Sequence, residues 1–355
     1  MKILLVLERR LDRGSIHAAF NYQRAAEAAG HQIVLYGRDD PAFPELAFST
    51  EIGAFDYVVF LVESWRYWMS GLRMPRFLRE IPRERRAILD ADGMYNQIVS
   101  AGGYDRTFKY EHDRVAWINH YKVVADKIMQ PTLAPLEPGV VALPFYGYDP
   151  GSRIDPGLIP AKSFDILCVG HNWWRWRQIS TELLPAIEKI RSQIGEIAFI
   201  GSWWDAVPAG AAELDLREAF GTDPDWLRRL RIQVKPSVPY TEVIPVMSSS
   251  RINIMTQRPL FSHLRLLTSK YFEIFTADTV PLVMLDPEHA ASVYGPAGRE
   301  LALHGDIAKK LIDVLRRPER YRKIVKEVRN HLTAHHSYRV RVKELVEALE
   351  SEPKG

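Results

Sequence analysis

The chain has 355 residues, 46% of them hydrophobic and 26% charged, so it is too long for one ordinary core and too apolar for a disordered or fibrous chain; two α/β domains of roughly 150 to 180 residues fit. A formal net charge of +3 suits an anionic small substrate or an anionic membrane face and falls short of a nucleic-acid binder's usual excess, which argues for no nucleic acid among the partners. The single cysteine, Cys168, excludes a disulfide framework and a cysteine metal cluster, so a reducing, cytoplasmic setting is expected.

The opening MKILLVLERR carries too short an apolar run for a signal peptide and reads as a buried strand, Ile3 to Leu7. Ser15 is placed to cap a helix whose apolar face carries Ile16, Phe20 and Ala26, Gly30 to end it, and Ile33 to Tyr36 is the next strand: a βαβ unit. Strands are expected again at Tyr57 to Val62, Ala87 to Leu89, Lys127 to Met129 and Val140 to Leu143. The proline- and glycine-rich stretch Pro144 to Ser163 reads as a linker, after which the pattern restarts with FDILCVG, a helix over Ile179 to Ile194, and EIAFIGS. RINIMTQ, a helix beginning near Thr268, VPLVML, a strand-like ELALHGD and charged helices follow. The fold class is α/β, with two Rossmann-like doubly wound domains facing a cleft: residues 1–150, residues 151–335, and a C-terminal helix, 336–355, that packs back on the first. Ligands of such sheets sit beyond the carboxyl ends of the strands, so the loops after Val169, Ile200 and Met255 matter most.

Gly170 stands at a tight turn after FDILCVG, with Arg175 and Arg177 just ahead of a helix, a setting that suits a pyrophosphate or, equally, a solvated arginine pair beside a tryptophan-rich surface. Trp173, Trp174, Trp176, Trp203 and Trp204 read mostly as packing. In TSKYFEIFTADTVPLVM, Lys270 and Glu273 share a helix face; they would flank a phosphate and a ribose, or simply pair with each other.

The ordered set SVPYTEVIPVMSSSRINIMT, LTSKYFEIFTADTVPLVML, VYGPAGRELALHGD and HHSYRVRVKELV resembles the C-terminal domain of family-1-like GT-B glycosyltransferases, nearest to the branch named after spore-maturation proteins. The resemblance covers roughly residues 164 to 350. It implies transfer of a sugar from a nucleotide-diphosphate sugar to an acceptor hydroxyl, with no cofactor and no metal. Glu273 then takes the place of a ribose-binding glutamate, Lys270 that of the basic residue before it, and Gly170 with Arg175 that of the phosphate loop. Tyr240 and Glu242 fall near the nucleotide base; Asn172, Arg177, Arg265 and Ser269 complete the donor set. Related enzymes carry a second glutamate eight positions earlier, where this chain has Arg265; Ile274, Asp278 and Thr279 also depart from the pattern. A nucleotide-sugar epimerase of related fold and a non-catalytic sugar- or partner-binding module remain as alternatives.

On the acceptor side Gly14 and Ser15 end the first strand-to-helix loop and His17 is a general-base candidate. DADG, Asp90 to Gly93, is read either as a metal-binding aspartate pair or, preferably, as presenting Asp92 as a catalytic acid or base. His112, His120, His335 and His336 show no zinc spacing. Six arginines between Arg73 and Arg86, interleaved with apolar residues, form either a solvated helix or a peripheral contact with the inner face of a membrane. A nicotinamide dehydrogenase is disfavoured because LERRLDRGS lacks the glycine spacing for a dinucleotide.

Overall fold

The computed structural model describes residues 1–9, 14–63, 74–97, 111–154, 162–209, 211 and 218–351. By internal contact the chain divides into two units. The first comprises Met1–Gly147, His263–Ser269 and His336–Gly355, the second Tyr148–Ser262 and Lys270–His335.

The first unit is built on seven parallel strands, β1 (Lys2–Val6), β2 (Gln32–Tyr36), β3 (Phe48–Ser49), β4 (Tyr57–Val62), β5 (Arg86–Asp90), β6 (Lys127–Gln130) and β7 (Val141–Ala142), in the order β3-β2-β1-β4-β5-β6-β7. The strand order reverses between β1 and β4, and sheets of this kind receive ligands beyond the carboxyl ends of the strands at such a point. β1, β4 and β5 read as continuous apolar runs because both faces of a parallel sheet are covered. The helix Gly14–Ala28 buries Ile16, Ala18, Ala19, Tyr22 and Ala26. It stops where Gly30 turns into the left-handed region at φ +75°, a conformation glycine adopts without steric cost.

The chain's last helix, Tyr338–Glu350, packs on Gly14–Ala28 within this unit. Tyr22 stacks on Phe145 at 4.9 Å and meets Tyr338 edge-on at 5.6 Å. The fully buried Arg341 donates from Nε to the Tyr146 carbonyl at 3.0 Å. Its two remaining nitrogens bond the Glu344 carboxylate and His336 Nδ1, so the buried charge is paired.

The second unit carries five parallel strands, β8 (Phe164–Val169), β9 (Ile197–Ile200), β10 (Ile232–Lys235), β11 (Ser250–Met255) and β12 (Val280–Val283), in the order β10-β9-β8-β11-β12. Its order again reverses beside the first strand, between β8 and β11. Pro281 is tolerated in β12 because β12 ends the sheet.

Two expectations fail here. ELALHGD is not a strand: a 3-10 turn, Pro296–Leu301, leads to a single bridge between Ala302 and Val283. Its apolar spacing comes from Leu301, Ala302 and Leu303 burying against the end of the sheet. The long helix expected over Ile179 to Ile194 is a π segment, Ile179–Leu183, followed by Leu184–Ile190 and a closing 3-10 turn, Arg191–Gln193.

Among the described residues no helix is long and apolar enough to cross a membrane. Arg73 and the side chains of Met74 and Pro75, part of the basic stretch, and the His112 side chain lie outside what is described.

Candidate functional site

At the reversal point of the second unit the chain leaves β8 through Gly170, whose φ is +135°. That conformation calls for glycine, and a side chain there would also push aside Lys270 Nζ and Arg175 Nη1, which lie against the turn. Gly201, at the end of β9 with φ +145°, is held to the same requirement because a Cβ would strike the Gly170 carbonyl. Trp204, buried beneath, donates from Nε1 to that carbonyl at 2.9 Å. The turn is therefore fixed from below while two cations crowd it from the other side.

Lys270 opens the short helix Lys270–Glu273 and donates from Nζ to the Val169 carbonyl, the last of β8, at 2.9 Å. An ammonium has three protons, so two remain for a ligand. Burial first, and then the neighbouring Arg175 charge, hold Lys270 well below the ordinary lysine range, with Glu273 acting against them. Arg175 is lowered to about 10, by burial and then by the charge of Arg258. Its Nε is buried without a hydrogen-bond partner. Three cations gathered in a half-buried place, with a donor left unsatisfied, form a site that an anion completes.

Arg258 belongs to this group and was not anticipated from the sequence. It follows β11 in the loop after Met255, with its guanidinium over Phe261 at 4.4 Å. Its only signal was that position, one of three loops expected to matter, because no motif surrounds it.

Glu273 ends the short helix, and its Oε1 accepts a hydrogen bond from the Tyr240 hydroxyl at 2.5 Å. The turn that follows is anchored by Arg329, which donates to the carbonyls of Phe275 at 2.7 Å and Ala277 at 2.6 Å. Tyr240 is the first residue of the helix Tyr240–Ser248, and Glu242 lies in its exposed first turn.

The remaining donor-side candidates fall differently. Asn172 is fully buried and spends its amide donor on the carbonyls of Trp203 at 2.9 Å and Gly221 at 2.7 Å, so it clamps two loops. Arg177 is exposed on the turn Trp176–Gln178. Arg265, exposed and at φ +52°, and Ser269 lie in the segment 263–269, which groups with the first unit and not with Lys270 and Glu273. The tryptophans divide as packing predicts: Trp174 and Trp204 are buried, while Trp173 and Trp203 lean on Phe220, each at 4.9 Å. Cys168, next to the site on β8, is pushed up to about 12 by burial and is chemically quiet.

The reversal point of the first unit has different contents. Ser15 does not cap its helix; it lies inside it, and its hydroxyl donates to Glu63 Oε2 at 2.6 Å, across the step from β1 to β4. Tyr146 donates to the other oxygen of Glu63 at 3.1 Å. Glu63, a lone carboxylate after a strand, had no sequence signal. Asp92 follows β5 half-exposed, and its charge, like that of Glu63, raises the Tyr146 phenol above its usual range beyond the dominant effect of burial. Gly14 and His17 are half-buried in the first turn of the helix after β1.

Asp90 is no partner for Asp92 in a metal pair. Fully buried, it accepts from the Met94 and Tyr95 amides at 3.0 Å each and from Tyr121 and Gln130 at 2.8 Å each. Four donors occupy both of its oxygens. Desolvation still raises its pKa above the usual carboxylate range. Among the described residues no group of three His, Cys, Asp or Glu is arranged to hold a metal.

Residues 177–347 match a family model described as glycosyl transferase-like. No curated protein matches the chain in sequence. In structure it is similar to T4 phage BGT in complex with its UDP-glucose substrate, at 10% identity and a TM-score of 0.60 over 99% of this chain and 100% of that one. An α-glucosyltransferase in complex with UDP and a 13-mer DNA containing a central A:G mismatch gives 12% identity and a TM-score of 0.62 over the same shares. A β-glucosyltransferase described as a DNA modifying enzyme gives 10% and 0.59, again over 99% and 100%. At these identities the structural likeness defines the fold, which is GT-B. Residues 177–347 thus form a glycosyl transferase-like region carried on a GT-B fold.

One inference from composition is overturned. The slight net charge was taken to exclude nucleic acid, yet enzymes of this same fold are described as DNA modifying and as bound to DNA. Net charge is a sum over the whole surface and does not report a local groove, so it is no ground for that exclusion.

Proposed function

We propose that the protein transfers a glycosyl group from a uridine-diphosphate sugar to an acceptor hydroxyl. The reading is carried by one observation: Arg175 and Lys270 crowd the glycine turn at the end of β8, with the charge of Arg258 bearing on Arg175 and that of Glu273 on Lys270. The cations take the diphosphate, and the free oxygen of Glu273 accepts from the ribose. Negative charge grows on the departing diphosphate as the glycosidic bond breaks, so preset cations lower the barrier most at that moment. They also supply the charge a divalent ion would otherwise bring, which supports metal-independent transfer, although one T4 phage BGT structure is described with UDP and Mn2+. Uridine is favoured because the similar structures are described with UDP or UDP-glucose.

On the acceptor side Asp92 takes the hydroxyl proton, with Glu63 at the end of β4 and His17 in the first turn of the helix after β1 orienting the acceptor. Asp92 is the choice because Asp90 is fully committed to the fold.

A thermal-shift screen of UDP, GDP, dTDP and CDP with their sugars tests the donor, since a ligand of the folded state raises its melting temperature. UDP and a UDP-sugar should stabilise the protein, and Glu273→Ala should lose most of that shift. Equal shifts in wild type and variant would sink the site. Transfer of labelled sugar to duplex DNA, to glycans and to lipid-linked acceptors then sorts acceptors. Conversion of the donor without any acceptor would instead indicate epimerisation.

A further inference from the structure

Tyr240 stood in the sequence as a residue near the nucleotide base, but its hydroxyl is directed elsewhere. It donates to Glu273 Oε1 at 2.5 Å, a length typical of a hydroxyl bonded to an ionised carboxylate. We propose that Tyr240 is a positioning residue: it holds the Glu273 carboxylate in the orientation that receives a ribose, and so makes the site discriminate ribose from deoxyribose nucleotides. This rests on the reading of Glu273 as the ribose acceptor.

Both segments are anchored by packing or turn hydrogen bonds, and the hydroxyl is a direct hydrogen-bond partner that orients the carboxylate. Val238 and Val246, flanking Tyr240 in sequence, pack on the core formed by Phe164, Leu167, Ala198 and Ile200. On the other side the Glu273 carbonyl accepts from the Thr276 amide at 2.9 Å and from the Thr276 hydroxyl at 2.6 Å. A glutamate side chain between such anchors still has three rotatable bonds, and fixing them before the ligand arrives removes that entropy from the binding step. With Oε1 occupied by Tyr240, Oε2 carries the lone pairs left for a sugar hydroxyl. A carboxylate preset in this way rejects a nucleotide lacking that hydroxyl, because Oε2 is then desolvated by the ligand without receiving a hydrogen bond from it. A glutamate free to turn toward water loses less by that absence and discriminates less.

The test is calorimetric titration of UDP, 2′-deoxy-UDP and 3′-deoxy-UDP into wild type, Tyr240→Phe and Glu273→Ala, with melting temperatures recorded to confirm folding. Wild type should prefer UDP over the more poorly bound deoxy analogue by about tenfold. Tyr240→Phe keeps the ring and removes only the donor. Its UDP affinity should fall about three- to tenfold while deoxy affinity changes little, so the preference collapses. If Tyr240→Phe binds UDP with wild-type affinity and preference while Glu273→Ala is weakened, the positioning role is wrong and the donor site stands. If Glu273→Ala leaves UDP affinity unchanged, the ribose assignment fails and this proposal with it.

Discussion

The two sheets share one strand order around their reversal points, yet opposite chemistry has been placed there. The second unit gathers arginine, lysine and arginine around a glycine turn, whereas the first sets Glu63 and Asp92 at the ends of adjacent strands, with Ser15 and Tyr146 donating to Glu63. Scaffold geometry selects where a ligand sits, and side-chain charge selects what it is. Cations in a half-buried place await an anion, while carboxylates beside hydroxyls are equipped to receive a proton. A group-transfer enzyme needs both functions.

The sharpest way to break this contrast is to remove a cation. Lys270→Ala should reduce kcat/KM for transfer about 100- to 1,000-fold, the loss expected when one group stabilising developing charge is deleted. Steady-state kinetics with a UDP-sugar checks this; a change below threefold would mean that Lys270 serves only to bond the Val169 carbonyl.

Asp92→Asn should cost about 100-fold in kcat with donor affinity intact, as general-base losses do. Asp90→Asn should instead act on stability, by about 2 to 4 kcal/mol in denaturant titration, because an amide turned toward four donors leaves some of them unsatisfied. An Asp90 variant that folds normally but is inactive would reverse the two assignments.

The pH dependence separates the sites by sign. Lys270 has its pKa depressed in the fold, so between that value and the ordinary 10.5 the unfolded chain binds the proton the folded chain has released. Stability from this group therefore rises with pH across that window. Donor binding needs the charged form, so UDP affinity should fall as pH rises through the same depressed value. Lys270→Arg should move that fall to higher pH, which titration calorimetry in an alkaline series would detect. The smallest effect expected is that of chelation: EDTA should change the transfer rate by less than about twofold if the cations suffice.

Much of the fold was legible because parallel strands buried on both faces are short apolar runs, and β1, β2, β4, β8 and β11 stand out that way. Lys270, Glu273, Gly170 and Arg175 could be named because a glycine after a strand and an acid three residues from a base are patterns local in sequence. Arg258 and Glu63 could not, since each is a single charged residue whose partners lie on other strands. The placing of 263–269 with the first unit was similarly hidden, as it depends on packing between segments far apart in sequence. Ser15 misled because a capping serine looks the same in sequence as one whose hydroxyl serves the fold, and for the same reason a metal pair stayed open as the less favoured reading at Asp90.

The most direct measurement is a crystal structure of the protein soaked or grown with UDP. The diphosphate should lie within hydrogen-bonding distance of Arg175 and Lys270 beside Gly170, with a ribose hydroxyl on Glu273. A nucleotide seated elsewhere, with these three side chains unchanged and untouched, would contradict the assignment of the site.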